Sequence, residues 1–186
     1  MKKAAIIYGW AEGPWESQKF RELLQENEFE ITNNPSNADI IIAHSSGCYL
    51  TPSDIHNKQI FLIGLPYWPG RSLLSSIIKK LKNEVDYHRR DKSLGWWLNK
   101  ILHNTWYILS RPSASYFGLT KHKEKYLPSD SNNIVMVIRP SDDTFCHPDI
   151  MKLLPMRDYK FIELPGAHDD CWVDPKPYID LLLKEL

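Results

Sequence analysis

Six short runs of branched and small apolar residues punctuate the chain: AAIIY (4–8), FEIT (29–32), DIIIAH (39–44), QIFLIG (59–64), IVMVI (134–138) and KFIEL (160–164). Several are apolar without alternation, and a strand reads that way only when both of its faces are covered. Many of the intervals between them are long enough for a helix and carry helical spacing. In PWESQKFRELLQEN (14–27), Trp15, Phe20, Leu23 and Leu24 recur at helical intervals behind Pro14, a residue suited to a first turn. SLLSSIIKKLK (72–82) has the same character, and PYIDLLLKEL (177–186) forms a last amphipathic helix with Pro177 in its first turn. The pattern predicts a three-layer α/β sandwich, six parallel strands with helices on both sides.

Two intervals depart from that rhythm. NNPSNA (33–38), between the second and third runs, leaves room for one turn at most. The stretch from about 84 to 132 is far longer than a crossover needs. It contains LGWWLNKILHNTWYIL (94–109), where Trp97, Ile101, Ile108 and Leu109 are expected to share a face, followed by a Ser/Pro/Lys-rich segment. It reads as a helical insertion plus a surface loop between strands 4 and 5, the kind of element that covers a site. With 186 residues in all, residues 1–186 are expected to form a single domain that includes this insertion.

The 23 basic residues balance the 23 acidic ones, so no global field draws the chain to phosphate backbones or anionic membranes, and nucleic acid is not an expected partner. Cys48, Cys146 and Cys171 are odd in number and form neither CxxC nor a Cys/His array, which argues against a disulfide framework and a structural zinc. No cofactor or metal is expected, and no protein partner is indicated. The apolar stretch in MKKAAIIYGW is too short for a signal-peptide core or a membrane span. A cytoplasmic protein is the expectation.

The third run ends abruptly, in AHSSGC (43–48). A serine on a tight strand-to-helix turn is held near positive φ and needs very small residues two before and two after it. Ala43 and Gly47 meet that need for Ser45. Such a turn lifts the hydroxyl to the carboxyl end of the sheet and aims the next backbone N–H, that of Ser46, at a developing oxyanion. Ser46 is a poorer nucleophile candidate, because its equivalent neighbours are His44 and Cys48. His44 points to the face opposite Ser45 and reads as packed, hydrogen-bonded core.

At this turn the chain resembles the α/β-hydrolase family, in its compact serine hydrolases that lack two amino-terminal strands. Where the family has GxSxG, this chain has AxSxG. Where its acid follows a late strand, IVMVIRPSDDTFCHPD offers PxxD and places Asp143, with Asp142 as the alternative. Where its histidine follows the last strand, FIELPGAHDD places His168. The first strand is followed by Gly9 and Trp10, so the resemblance implies the Trp10 N–H as second oxyanion donor beside Ser46. It implies a Ser45–His168–Asp143 triad that hydrolyses an ester, thioester or amide of a small apolar acyl substrate. The expected strand order is 2-1-3-4-5-6. Pro52 is expected to cut short the helix behind the serine.

The chain holds seven tryptophans. Tyr67 and Trp68, after strand 4, and Trp96, Trp97 and Trp106, in the insertion, are candidates for an apolar acyl pocket. Asp169 and Asp170 read as solvated loop or capping residues, His147 as part of a turn, and Cys48 as small core filler. The competing reading from another class is a fold relative that turns over poorly and uses its aromatic insertion as a contact surface.

Overall fold

The strand β3 (Ile40–His44) is buried at every position, and it lies in the middle of a parallel sheet. The computed structural model describes residues 1–9, 12–52, 57–67, 93–110, 133–152 and 159–186. Around β3 stand β1 (Lys2–Ile7), β2 (Phe29–Thr32), β4 (Gln59–Ile63), β5 (Ile134–Pro140) and β6 (Lys160–Leu164). The order is β2-β1-β3-β4-β5-β6 and every pairing is parallel, as the apolar runs predict. β1 begins two residues earlier than its apolar run, because Lys2 and Lys3 register with Phe29 and Glu30.

The period-two alternation of strands divides the core into two layers. Ala5, Ile41, Ala43, Ile60, Leu62 and Val137 face one layer, with Cys48, Tyr49, Leu65 and Ile150. Ala4, Ile40, Ile42, Phe61, Ile63, Met136 and Ile138 face the other. That second layer is closed by helices α1 (Gln18–Glu26), α3 (Asp170–Val173) and α4 (Lys176–Leu183), which bury Phe20 and Leu24, Cys171 and Trp172, and Tyr178, Ile179 and Leu182. Each fully buried Ile, Leu or Phe contributes about 1.5–3 kcal/mol of transfer free energy, so a doubly covered sheet this apolar needs no cross-links.

Between β4 and β5 the helix α2 (Leu94–Ser110) occupies the predicted insertion. The shared face expected of Trp97, Ile101, Ile108 and Leu109 is split, Trp97 and Ile108 being half-buried. Ile101 and Leu109 are exposed, together with Leu94, Leu98, Leu102 and Trp106, while Lys100 is buried. The inward stripe is set by what it meets. Trp15 stacks on His103 at 4.9 Å between centroids, and Tyr107 presses against Gly13, where a Cβ would come within 2.0 Å of the Tyr107 Cζ. No described helix is long and apolar enough to cross a membrane. The predicted helix at 72–82 and the remainder of the 84–132 insertion lie outside the described residues.

Candidate active site

The turn after β3 carries the serine. Ser45 has φ of 54°, the left-handed conformation that costs a non-glycine residue of order 1 kcal/mol or more. Gly47 lets the turn form, because a Cβ there would lie 2.4 Å from the carbonyl oxygen of Ile7 and 2.8 Å from that of Tyr8. The chain continues as a 3-10 helix, Ser45–Leu50, ahead of Pro52, in keeping with the truncation expected from that proline.

Three side chains from distant parts of the chain meet above this turn. The Ser45 Oγ lies 2.7 Å from the His168 Nε2, and the His168 Nδ1 lies 2.6 Å from the Asp143 Oδ2. The other Asp143 oxygen accepts the N–H groups of Phe145, at 2.7 Å, and Cys146, at 3.1 Å. Asp143, and not Asp142, is therefore the carboxylate that orients the imidazole. Asp142 contributes backbone, donating its N–H to the Gly166 carbonyl at 2.9 Å. Gly64, directly after β4 and at φ of 58°, leaves the space: a Cβ there would sit 3.2 Å from the Asp143 Oδ2 and 3.3 Å from the His168 Nδ1. The serine, glycine, acid and histidine thus follow β3, β4, β5 and β6 in turn, along one edge of the sheet.

Beneath the serine lies a second polar layer. His44 is fully buried. Its Nδ1 is 2.8 Å from the Glu12 Oε2, and its Nε2 is 2.8 Å from the backbone oxygen of His168. The same Glu12 oxygen accepts the Gly9 N–H at 2.9 Å. Burial by itself would lower the His44 pKa, but the neighbouring Cys171 sulfur and Glu12 carboxylate outweigh it and hold the imidazole well above its ordinary range. Burial also pushes the Cys171 thiol up to about 11. Glu12, His44, His168 and Asp169 each present a ligand-type atom, and these lie within 4.8 Å of one another. All four imidazole nitrogens in the set already have hydrogen-bond partners.

Of the two expected readings for Asp169 and Asp170, solvated or capping, the first fails, for both are buried, while Asp169 stands at the N-cap of the short helix Asp170–Val173 without a side-chain cap bond. Asp169 pairs with Lys100 of α2 at 3.7 Å, and Asp170 accepts the Ala167 N–H at 3.0 Å. The Lys100 ammonium also lies 5.4 Å from the centroid of Trp96. Glu16 belongs to the same neighbourhood. Burial first, and then the Glu12 charge, pushes its carboxyl up to about 7.

The remaining candidates separate. Ser46 follows Ser45 and is buried, its hydroxyl without a partner among the described residues. Trp10 and Trp68 lie outside the described residues. Tyr67 stitches loops together, its N–H donating to Phe145 and its carbonyl accepting from His147. Trp96 packs between Trp15 and Trp97 on the inner side of α2. Trp106 does not join them, being 67% exposed on the outer side. His147 is a turn residue, its Nδ1 accepting the Asp149 N–H, and Cys48 is fully buried.

No family model and no curated relative matches the chain. Solved structures do. A thioesterase domain from the curacin biosynthetic pathway superposes with a TM-score of 0.61 at 13% identity, covering 98% of this chain and 91% of that one. A thermophilic esterase from Thermogutta terrifontis gives 0.57 at 12% identity, over 99% of this chain and 89% of its own. An α/β-hydrolase enzyme from the sediment metagenome of the Mar Chica lagoon in Morocco gives 0.56 at 14% identity, over 98% and 89%. With the strand order and parallel pairing, these likenesses show that the chain has the α/β-hydrolase fold.

Proposed function

We propose that the protein is a serine hydrolase that transfers the acyl group of a small apolar ester, thioester or amide to water. The observation that carries this reading is a serine at φ of 54° whose Oγ lies 2.7 Å from an imidazole nitrogen. An ordinary turn has no use for that combination of backbone strain and proton-transfer distance.

In this scheme His168 Nε2 takes the Ser45 proton as Oγ attacks the carbonyl carbon, and returns it to the leaving group as the tetrahedral intermediate collapses. A water then repeats the sequence on the acyl-enzyme. Asp143 keeps the proton on Nδ1 and stabilises the imidazolium. The backbone N–H groups of Ser46 and Trp10 are assigned to the oxyanion, each worth about 3 kcal/mol of barrier. Neither a metal nor a cofactor takes part. Trp96 and Trp97, beside Lys100 and Trp15, are the aromatic surface assigned to the acyl group.

Covalent labelling tests the reading. A fluorophosphonate probe should modify the wild-type protein stoichiometrically and leave Ser45→Ala unmodified. A series of p-nitrophenyl esters then reads the acyl preference. A folded wild-type protein that resists the probe supports a binding role instead, for which the exposed apolar side of α2 (Leu94, Leu98, Leu102 and Leu109) is the available surface.

A further inference from the structure

We infer that the buried Glu12–His44 pair is a positioning device, tying the backbone of His168 and the Gly9 turn to the serine; the inference rests on the hydrolase reading above. A carbonyl oxygen only accepts hydrogen bonds, so the His44 Nε2 facing the His168 oxygen at 2.8 Å carries a proton and donates it there. The opposite nitrogen meets a carboxylate oxygen that also receives the Gly9 N–H. One unbroken path of hydrogen bonds thus runs from the turn after β1, through Glu12 and His44, to the main chain of the residue that bears the base.

Burying an imidazole and a carboxylate is costly, and an apolar pair of similar volume would fill the space at lower cost. What an apolar pair lacks is a directed grip on a backbone. His168 needs one. It lies two residues after Gly166, whose φ is 132°. The Asp143 and Ser45 contacts orient the ring, but a ring turns about its own backbone. Four ties among the described residues hold that backbone: Asp142 N–H to the Gly166 oxygen, Ala167 N–H to the Asp170 carboxylate, Asp170 N–H to the Ala167 oxygen, and His44 to the His168 oxygen. Only the last comes from the residue preceding the nucleophile. Strand alternation turns Ser45 toward the substrate side and His44 toward the interior, so one dipeptide holds both ends of the proton-transfer distance. Displacements of about 1 Å at such a contact cost about 10²-fold in rate.

Two substitutions at one position separate grip from bulk. A glutamine amide reaches the place of the imidazole Nε2 and keeps a donor for the His168 oxygen, whereas an asparagine amide reaches only the place of Nδ1. For p-nitrophenyl acetate, kcat of His44→Gln should stay within about threefold of wild type. For His44→Asn it should fall about 10- to 100-fold with KM little changed. The low-field proton resonance of the His168–Asp143 hydrogen bond should persist in the first variant and shift or broaden in the second. Equal kcat in His44→Asn and wild type, or an equal fall in both folded variants, overturns the inference. Should neither fold, Glu12→Gln against Glu12→Ala takes their place. Glutamine keeps an oxygen for Gly9 and should retain kcat, alanine should lose it, and an alanine variant that matches wild type is the overturning result. A wild-type protein that refuses the fluorophosphonate sinks the hydrolase reading, while the resonance still reports whether His44 holds the ring.

Discussion

Gly9 and Ser45 are in such close contact that a methyl group on Gly9 would stand 2.6 Å from the Ser45 Cβ and 3.1 Å from the His44 carbonyl oxygen. The turn that carries Ser45 is seated directly on the turn that follows β1. Gly9→Ala must therefore move one of the two, and each moves the hydroxyl relative to any oxyanion donor. We expect kcat/KM for a p-nitrophenyl ester to fall about 10²-fold while the far-ultraviolet circular dichroism is retained. Unchanged kinetics would show that the Gly9 turn plays no part.

Ser45 and His168 act as one unit in the proposed chemistry, so their losses should not add. Ser45→Ala and His168→Ala should each abolish nearly all ester hydrolysis, and the double variant should be no worse than either alone. Rates that multiply in the double variant would mean that the two residues serve separate steps.

The adjacent acids should behave very differently. Asp143→Asn removes the acceptor that fixes the His168 tautomer and is expected to cost up to about 10⁴-fold in kcat. Asp142→Asn keeps the backbone N–H that holds the Gly166 oxygen, and should leave kcat within a few-fold. A steady-state comparison of the two variants at neutral pH checks the assignment.

Glu16 gives the fold a pH dependence of unusual sign. Its carboxyl is raised from 4.5 to about 7 in the folded protein. Between those values the native state keeps a proton that the unfolded chain has released, so stability falls as pH rises through the window and levels off above it. Glu16→Gln should remove this loss. It should raise stability at pH 8 by about 1–3 kcal/mol, with little difference from wild type near pH 4, as read from urea unfolding at the two pH values.

The strand order and the serine, acid and histidine were legible because each leaves a local trace. An apolar run ends, a small residue or a turn follows, and the polar side chain comes next, as in Ala43-His44-Ser45 or Gly166-Ala167-His168. The second polar layer leaves no such trace. Glu12 looks like one more acid ahead of α1, and its value depends on Gly9 and His44 approaching in space. Asp169, in a run of two acids, reads as solvated until Lys100, from a helix far upstream, is docked on it. The side of α2 that packs inward was not legible for a related reason. Apolar spacing groups Ile101 and Leu109 with Trp97 and Ile108, but the surface that receives the helix offers Trp15 and the bare backbone of Gly13, which select His103 and Tyr107.

The position of β6 has a consequence for when the site comes into being. It is an outermost strand, hydrogen-bonded to β5 alone among the described strands, and His168 follows it. During synthesis the hydroxyl and the carboxylate leave the ribosome well ahead of the imidazole, and nothing can deprotonate Ser45 until that rim strand has zipped into place. Under the chemistry proposed here, a half-made copy is inert, and reactivity arrives in a single late step.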